Sequence, residues 1–228
     1  MHFSLYYHGH ACFEFRADNA PTVLFDPYKP DGLGGRFNLP PIESDPDLIL
    51  LTHRHEDHAW ILPQWHRALI AEQTGTPLGL SLTAVSAFHD DVGGRKMGLV
   101  SMLSLDWCGI RLVHLGDIGV VPSEASLSKL GQPDILMVPT GGTYTIGPSQ
   151  AIDIIDQLRP RWVIPMHAAD PRIQLDLLPI DDFVSRWKGP VVPFCEHLEM
   201  NRPTSPLSNF GFPTVLLPGQ NAGCVITR

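Results

Sequence analysis

Residues 51–60 read LTHRHEDHAW, in which His53, His55, Glu56, Asp57 and His58 crowd ligand-type side chains into six consecutive positions behind the apolar run LILL. Neutral imidazole and carboxylate are donors suited to Zn²⁺, Mn²⁺ or Fe²⁺. His53 and His55 are two residues apart at the end of an expected strand, so in extended geometry both face the same side. Asp57 and His58 follow where the chain turns, placed to face a second point. Two ligand subsets in one turn suit a pair of ions. A solvated loop that merely happened to be histidine-rich would have no need of this H-x-H-x-D-H order.

One segment cannot close two coordination shells, so further ligands must come from elsewhere in the chain. The candidates are His8, His10, His66, His89, His114, Asp117, His167 and His197. His89 ends the apolar run in VSAFHDD, Asp117 stands beside a glycine in VHLGDIG, and His167 closes WVIPMH. All three fall at strand ends, where sites on layered sheets are built. His66 within an expected helix and His197 beside Glu196 read as surface histidines.

The elements that must position these residues alternate in character. FSLYY, ACFEF and TVLFD are short apolar or alternating runs separated by turn residues, which predicts a strand meander. Residues 29–47 are loop by their Gly, Pro and Asp content, and the GLGG there is not a phosphate loop, because no Lys-Ser/Thr follows and no helix opens after it. DLILL is the strand before the histidine cluster, and Ile61, Leu62, Trp65 and Leu69 recur at helical spacing after it. LVSMLSL and IRLVHL return to strand patterning, turning at Cys108-Gly109. From Ser123 onward helices alternate with strands. Ser123 is an N-cap, Leu127 and Leu130 form a buried stripe, and Gly131 is the stop. DILMV is a strand, and a helix from Pro148 carries Ala151, Ile154, Ile155 and Leu158 on one face until Pro160. WVIPMH is the next strand and DDFVSRW another short helix. This alternation implies an α/β layered fold. The Pro-rich stretch around 202–218 reads as a surface excursion, with CVIT as a final strand.

The chain has 228 residues, enough to bury a substantial core. Its formal net charge of -8, with 16 Lys+Arg, argues against a broad nucleic-acid surface. No apolar stretch approaches the roughly 18 residues a membrane span needs, and the opening MHFSLYYHGH lacks a basic region and an apolar run of the signal-peptide kind. Cys12, Cys108, Cys195 and Cys224 are scattered with no C-x-x-C pair, which suits a reducing cytoplasm and small buried apolar roles. A small-molecule partner is expected; composition fixes no oligomeric state.

H-x-H-x-D-H, then AFHDD, HLGD, the GGTYT segment and VIPMH, in this order, resemble the metallo-β-lactamase superfamily. The match is nearest to its branch of metal-dependent hydrolases that includes the ascorbate-6-phosphate lactonase-like proteins. Similarity runs from GHACFEF to PMH, over most of residues 5–185. The resemblance implies one α/β domain over residues 1–228, a four-layer αββα sandwich with a dinuclear site along one edge. Carried over by position, His53, His55 and His89 hold the first ion, Asp57, His58 and His167 hold the second, and Asp117 bridges both. Zinc is expected first, with manganese or iron acceptable.

The same resemblance sorts the other candidates. His10 in GHACFEF matches a recurrent family position that stands behind the ligands or faces substrate. His8 is open between that and a structural role. His114 points away from its strand's ligand and is read as a group behind the ligands, and Asp90 or Asp91 would orient His89. Tyr144 would reach the site mouth or simply pack in its loop. The activity implied is hydrolysis of a lactone, phosphodiester or related ester, in which the ions activate a shared water as nucleophile. A metal-bound water, His10 or Tyr144 would protonate the leaving group, and Asp57 would lie beside the nucleophile. The alternative is a metal-binding or sensor protein without turnover. Only 30 residues separate His58 from His89, which leaves little room for an inserted lid over the pocket, and the stretch after 196 matches no family pattern.

Overall fold

The computed structural model describes residues 2–195, 197–201 and 212–219. Along these the strands are β1 (His2–Gly9), β2 (Cys12–Arg16), β3 (Val23–Phe25), β4 (Leu48–Leu50), β5 (Leu69–Ala71), β6 (Ser81–Phe88), β7 (Leu99–Trp107), β8 (Ile110–His114), β9 (Ile135–Pro139), β10 (Trp162–Met166), β11 (Val191–Phe194), β12 (His197–Asn201) and β13 (Thr214–Pro218). They form a six-stranded sheet in the order β12-β1-β2-β3-β4-β5 and a seven-stranded sheet in the order β11-β13-β10-β9-β8-β7-β6. The expected meander is the antiparallel β1-β2-β3 unit, which β4 and β5 extend in parallel. In the second sheet β6, β7 and β8 are antiparallel, and β8 to β11 run parallel to their neighbours.

Period-two alternation decides what each strand face covers. On β9, Ile135 and Met137 enter the core between the sheets, while Leu136 and Val138 pack under the helices. Phe3, Leu5, Phe13, Phe15 and Phe25 meet Leu103, Leu105, Trp107 and Ile164 in that inter-sheet core. The outer face of the second sheet is covered by the helix Pro148–Leu158, whose Ala151, Ile154, Ile155 and Leu158 are buried. Each such aliphatic side chain contributes roughly 1.5–3 kcal/mol on burial. Pro148 occupies its first turn, and the Gln150 side chain accepts from the Gly147 N–H at 3.0 Å. The shorter helices Glu124–Ser128 and Ile180–Val184 join the same layer through Leu127 and Phe183. Ser123 caps the first of them as expected, accepting from the Ser126 N–H at 3.2 Å.

The opposite outer layer is built differently. Leu24, Ile49 and Leu51 are covered by Tyr28, Phe37, Ile42, Trp65 and Ile173, which come from loops and short helical turns. Residues 29–47 are mostly loop, broken by one helical turn at Gly32–Gly35 whose Leu33 and Gly34 have left-handed angles. The helix expected from Ile61, Leu62, Trp65 and Leu69 does not form. A 3-10 turn at Pro63–Trp65 leads instead into β5. Pro63 disfavours helical angles at the residue before it, and Leu62 is accordingly extended at φ -76°, ψ 143°. Leu69–Ala71 is then taken up by parallel pairing with β4.

Cys12 is buried and Cys108 and Cys195 are half-buried, while Cys224 lies outside the described residues. The CVIT strand also lies outside them, as does most of the Pro-rich stretch, of which 214–218 is β13. Among the described residues no helix is long and apolar enough to cross a membrane.

Candidate metal centre

The ends of β1, β3, β4, β6, β8 and β10 deliver the site to one edge of the two sheets. His10 lies in the β1–β2 turn, Asp26 follows β3, and His53 to His58 follow β4. His89 follows β6, Asp117 lies three residues beyond β8, and His167 follows β10. Gly116 is required just before Asp117. Its φ is +58°, and a Cβ there would stand 2.5 Å from Val100 Cγ2 and 2.8 Å from Thr52 Cβ. Gly119 then brings this loop against the β6 end, where a Cβ would meet the Asp90 backbone N at 2.5 Å.

Two separate groups of donors result, the ligand atoms of each lying within 4.8 Å of one another: His53, His55 and His89, and His10, Asp57, His58 and His167; a third, Asp26, His53 and His58, overlaps both. Asp117 stands between them, its Oδ2 3.1 Å from His58 Nε2, 3.0 Å from His167 Nε2 and 3.6 Å from His89 Nε2. The seven residues assigned by resemblance are therefore brought together at one edge, with Asp117 beside both groups. In the first group His53 Nε2 and His55 Nδ1 converge to 3.0 Å. His55 is half-buried, and the other donors are buried.

A carboxylate absent from the sequence candidates organises two of these histidines. Asp26 accepts the Thr52 N–H at 2.8 Å and the Thr52 hydroxyl at 2.6 Å, and lies 2.8 Å from His58 Nδ1. With its proton donated to Asp26, the Thr52 oxygen can only accept from His53 Nδ1, 2.9 Å away. Asp26 thereby places the Nδ1 proton of both His53 and His58 on its own side and leaves both Nε2 atoms facing the site. The signal was an Asp directly after the apolar run VLF, whose strand β3 is hydrogen-bonded beside the ligand-bearing β4.

His114 Nε2 donates to the Ala11 carbonyl at 2.9 Å and its Nδ1 accepts the Gly116 N–H at 3.0 Å, so both nitrogens are used. It lies 3.9 Å from Asp26, behind the ligands as expected. The role expected for Asp90 and Asp91 is not found. Asp90 accepts the backbone N–H groups of Val92, Gly94, Lys96 and Met97 at 2.7–2.9 Å and so folds its own loop. Asp91 is exposed, 3.8 Å from Lys96. His89 Nδ1 has no hydrogen-bond partner among the described residues. His8 pairs with Glu14 at 2.8 Å, the structural role. His66 and His197 are exposed, as expected.

The carboxylates and imidazoles of the site shift one another. Burial would raise the Asp117 and Asp57 carboxyls, but neighbouring histidines outweigh it and hold both below the usual carboxylate range. Burial would lower His58, but Asp117, Asp57 and Asp26 outweigh it and raise it well above the usual histidine value. Burial, reinforced by the charge of His58, pushes His53 down to about 3. Burial and then His167 push His10 down to about 4.

His10 Nδ1 and Nε2, His58 Nε2, His89 Nδ1 and Nε2, Asp117 Oδ1 and His167 Nδ1 are all buried without a hydrogen bond. Each such atom costs roughly 1–3 kcal/mol, and several close approaches lack the alignment of a hydrogen bond. A nitrogen and oxygen donor set of this kind, converging and without hydrogen-bond partners, fits divalent transition metals. It opens onto a cavity of about 470 Å³ lined by His55, Asp57, His89, Asp117, His167 and Tyr144, with Leu33, Arg36, Arg54, Met97 and Leu175 around them. His10 does not line it.

Residues 4–167 match the family model described as a Beta-lactamase superfamily domain. A UPF0173 metal-dependent hydrolase of Thermoplasma acidophilum is 29% identical over 186 residues, covering 71% of this chain and 81% of the relative. A UPF0173 protein of Pyrococcus abyssi is 32% identical over 183 residues, covering 71% of this chain and 81% of the relative. The crystal structure described as a Zn-dependent hydrolase of the metallo-β-lactamase superfamily, from Thermotoga maritima, superposes with a TM-score of 0.72 at 27% identity, over 95% of this chain and 98% of that one.

Proposed function

The chain belongs to the metallo-β-lactamase superfamily and is a metal-dependent hydrolase, and on that premise we propose that it works with two divalent ions and cleaves a lactone, phosphodiester or related ester. One observation carries the proposal: two donor groups lie on either side of Asp117 and border the same cavity. His53, His55 and His89 would hold one ion, Asp57, His58 and His167 the other, with Asp117 common to both. Zinc is the first choice, and manganese or iron are chemically acceptable. When bound, such ions supply Lewis acidity and make water a nucleophile near neutral pH.

The chain's own groups do the rest. Asp57 and Asp117 provide the negative charge that retains two dications without a thiolate. Asp26 and Thr52 fix the tautomers of His53 and His58, so that neither imidazole turns away. Tyr144 is exposed at the cavity wall, from where its hydroxyl can donate a proton to a leaving oxygen. His10 is an unsuitable donor to substrate, because it is 1% exposed and off the cavity lining. Glu72 neutralises Arg54, whereas Arg36 has no carboxylate partner among the described residues, which favours a substrate with a negative group. The cavity suits a small molecule rather than bulk nucleic acid, and the scattered cysteines suit a cytoplasmic setting.

The test is a panel of lactones, phosphodiesters and carboxylic esters assayed before and after chelation. Turnover that is lost with the metal and returns with added zinc or manganese is expected. A metal-loaded protein that turns over none of the panel overturns the ester-cleaving proposal.

A further inference from the structure

His10 is held in a conformation that needs a reason. Its φ is +56°, in the left-handed region, and His167 shares this with φ +52°. The His167 N–H donates to the His10 carbonyl at 3.1 Å, so the two unusual residues brace one another. A non-glycine residue in that region costs about 1 kcal/mol. The His10 ring is buried with both nitrogens lacking a hydrogen bond. It lies edge-on to Phe37 with centroids 4.8 Å apart and tilted against His167 at 4.0 Å. Its Nε2 is 3.4 Å from Asp57 Oδ2, without hydrogen-bond alignment.

Three ordinary roles fail. A packing residue here would be cheaper as an apolar side chain, because two unpaired ring nitrogens are costly to bury. A partner that only oriented Asp57 would engage it more closely than the 3.4 Å of His10 Nε2 and would not need the other nitrogen buried without a partner. A proton donor to substrate would line the cavity. The one arrangement that uses the ring is direct ligation, since its donor atom lies within 4.8 Å of those of Asp57, His58 and His167.

We propose that His10 is a ligand of the second ion, beyond the three residues that resemblance assigns to it. The inference rests on the two-ion proposal above. The second ion then has His10, Asp57, His58 and His167 besides the shared Asp117, one protein donor more than the His53, His55 and His89 that the first has besides it. The ion with the larger donor set is accordingly the more tightly retained of the two.

The experiment compares wild type and His10→Ala, both loaded with zinc, for metal content and for zinc affinity against a competing chelator. Wild type is expected to hold two ions, one of them resistant to the chelator. His10→Ala is expected to keep one and to lose affinity for the resistant one by more than the roughly 10- to 100-fold of a residue that only orients a ligand. Cobalt-loaded protein should change its visible spectrum for one ion of the two. In case the variant does not fold, ¹¹³Cd-loaded wild type supplies a second measurement, in which the ring protons of His10 should show scalar coupling to cadmium. Two bound ions with no coupling at His10, or a folded variant with wild-type affinity and cobalt spectrum, overturn this inference and leave the two-ion proposal standing. Wild type that binds no ion overturns both.

Discussion

On the β1–β2 hairpin, Glu14 and His10 stand four positions apart and are 0% and 1% exposed, yet their surroundings differ in kind. Glu14 is answered by protein alone: His8 at 2.8 Å, Arg16 at 2.5 Å and the Ser44 hydroxyl at 3.0 Å. Its charge is matched by one guanidinium that reaches partly to solvent over the Tyr6 ring. His10 faces Asp57, His58 and His167, where carboxylates and imidazoles crowd together. A buried polar cluster is self-sufficient when its donors and acceptors pair off, and this one leaves polar atoms without a partner around a common space. The contrast separates a structural polar cluster from a cation site in one fold, by counting partners rather than charges.

Substitutions should respond accordingly, the largest effect falling where both ions depend on one residue. Asp117→Ala should empty both sites and abolish turnover, whereas His114→Ala, whose nitrogens are already used within the protein, should leave metal content mostly intact. Metal analysis of the two variants decides it, and the opposite pattern would mean the bridge is misassigned. Asp57→Asn keeps the size but removes the charge, so kcat should fall by more than roughly 100-fold while thermal stability changes little. Steady-state kinetics and melting curves on one preparation measure both.

Asp26→Asn should weaken metal binding roughly 10- to 100-fold, because His53 and His58 lose the acceptor that fixes their tautomers. Zinc affinity unchanged from wild type would remove Asp26 from the centre. Glu14→Gln tests the other cluster. Metal content should be unaffected, with about 1–3 kcal/mol of folding stability lost at neutral pH. Burial would raise the Glu14 carboxyl, but His8 and Arg16 outweigh it and lower it from its ordinary value of 4.5. A depressed carboxyl stabilises fully above the unfolded value and loses that as pH falls through the folded one. The gap between wild type and Glu14→Gln should therefore close below about pH 4.5 in denaturant titrations.

Much of this was legible because ligands at strand ends leave a double trace, an apolar run followed at once by His or Asp. His53, His89 and His167 show it directly, and Asp117 shows it with the glycine its tight turn needs. Asp26 carries the same trace after VLF but has no histidine companions in sequence, and its link to Thr52 and His58 exists only once β3 and β4 pair. Asp90 misled for the converse reason: adjacency to a ligand says nothing about which way a carboxylate turns, and four backbone N–H groups claim it. The helix expected over Ile61–Leu69 mistook an accidental spacing for a period, with Pro63 as the sign against it. The layer over the first sheet left no pattern to read, because loops such as Tyr28–Ile42 bury single side chains without periodicity.

Metal analysis of the protein purified without chelator tests most directly whether the unpartnered donors belong to metal ions. Close to two transition-metal ions per chain are predicted, or uptake to that level on titration with zinc or manganese. A folded preparation that contains no metal and takes up none on titration would contradict that assignment.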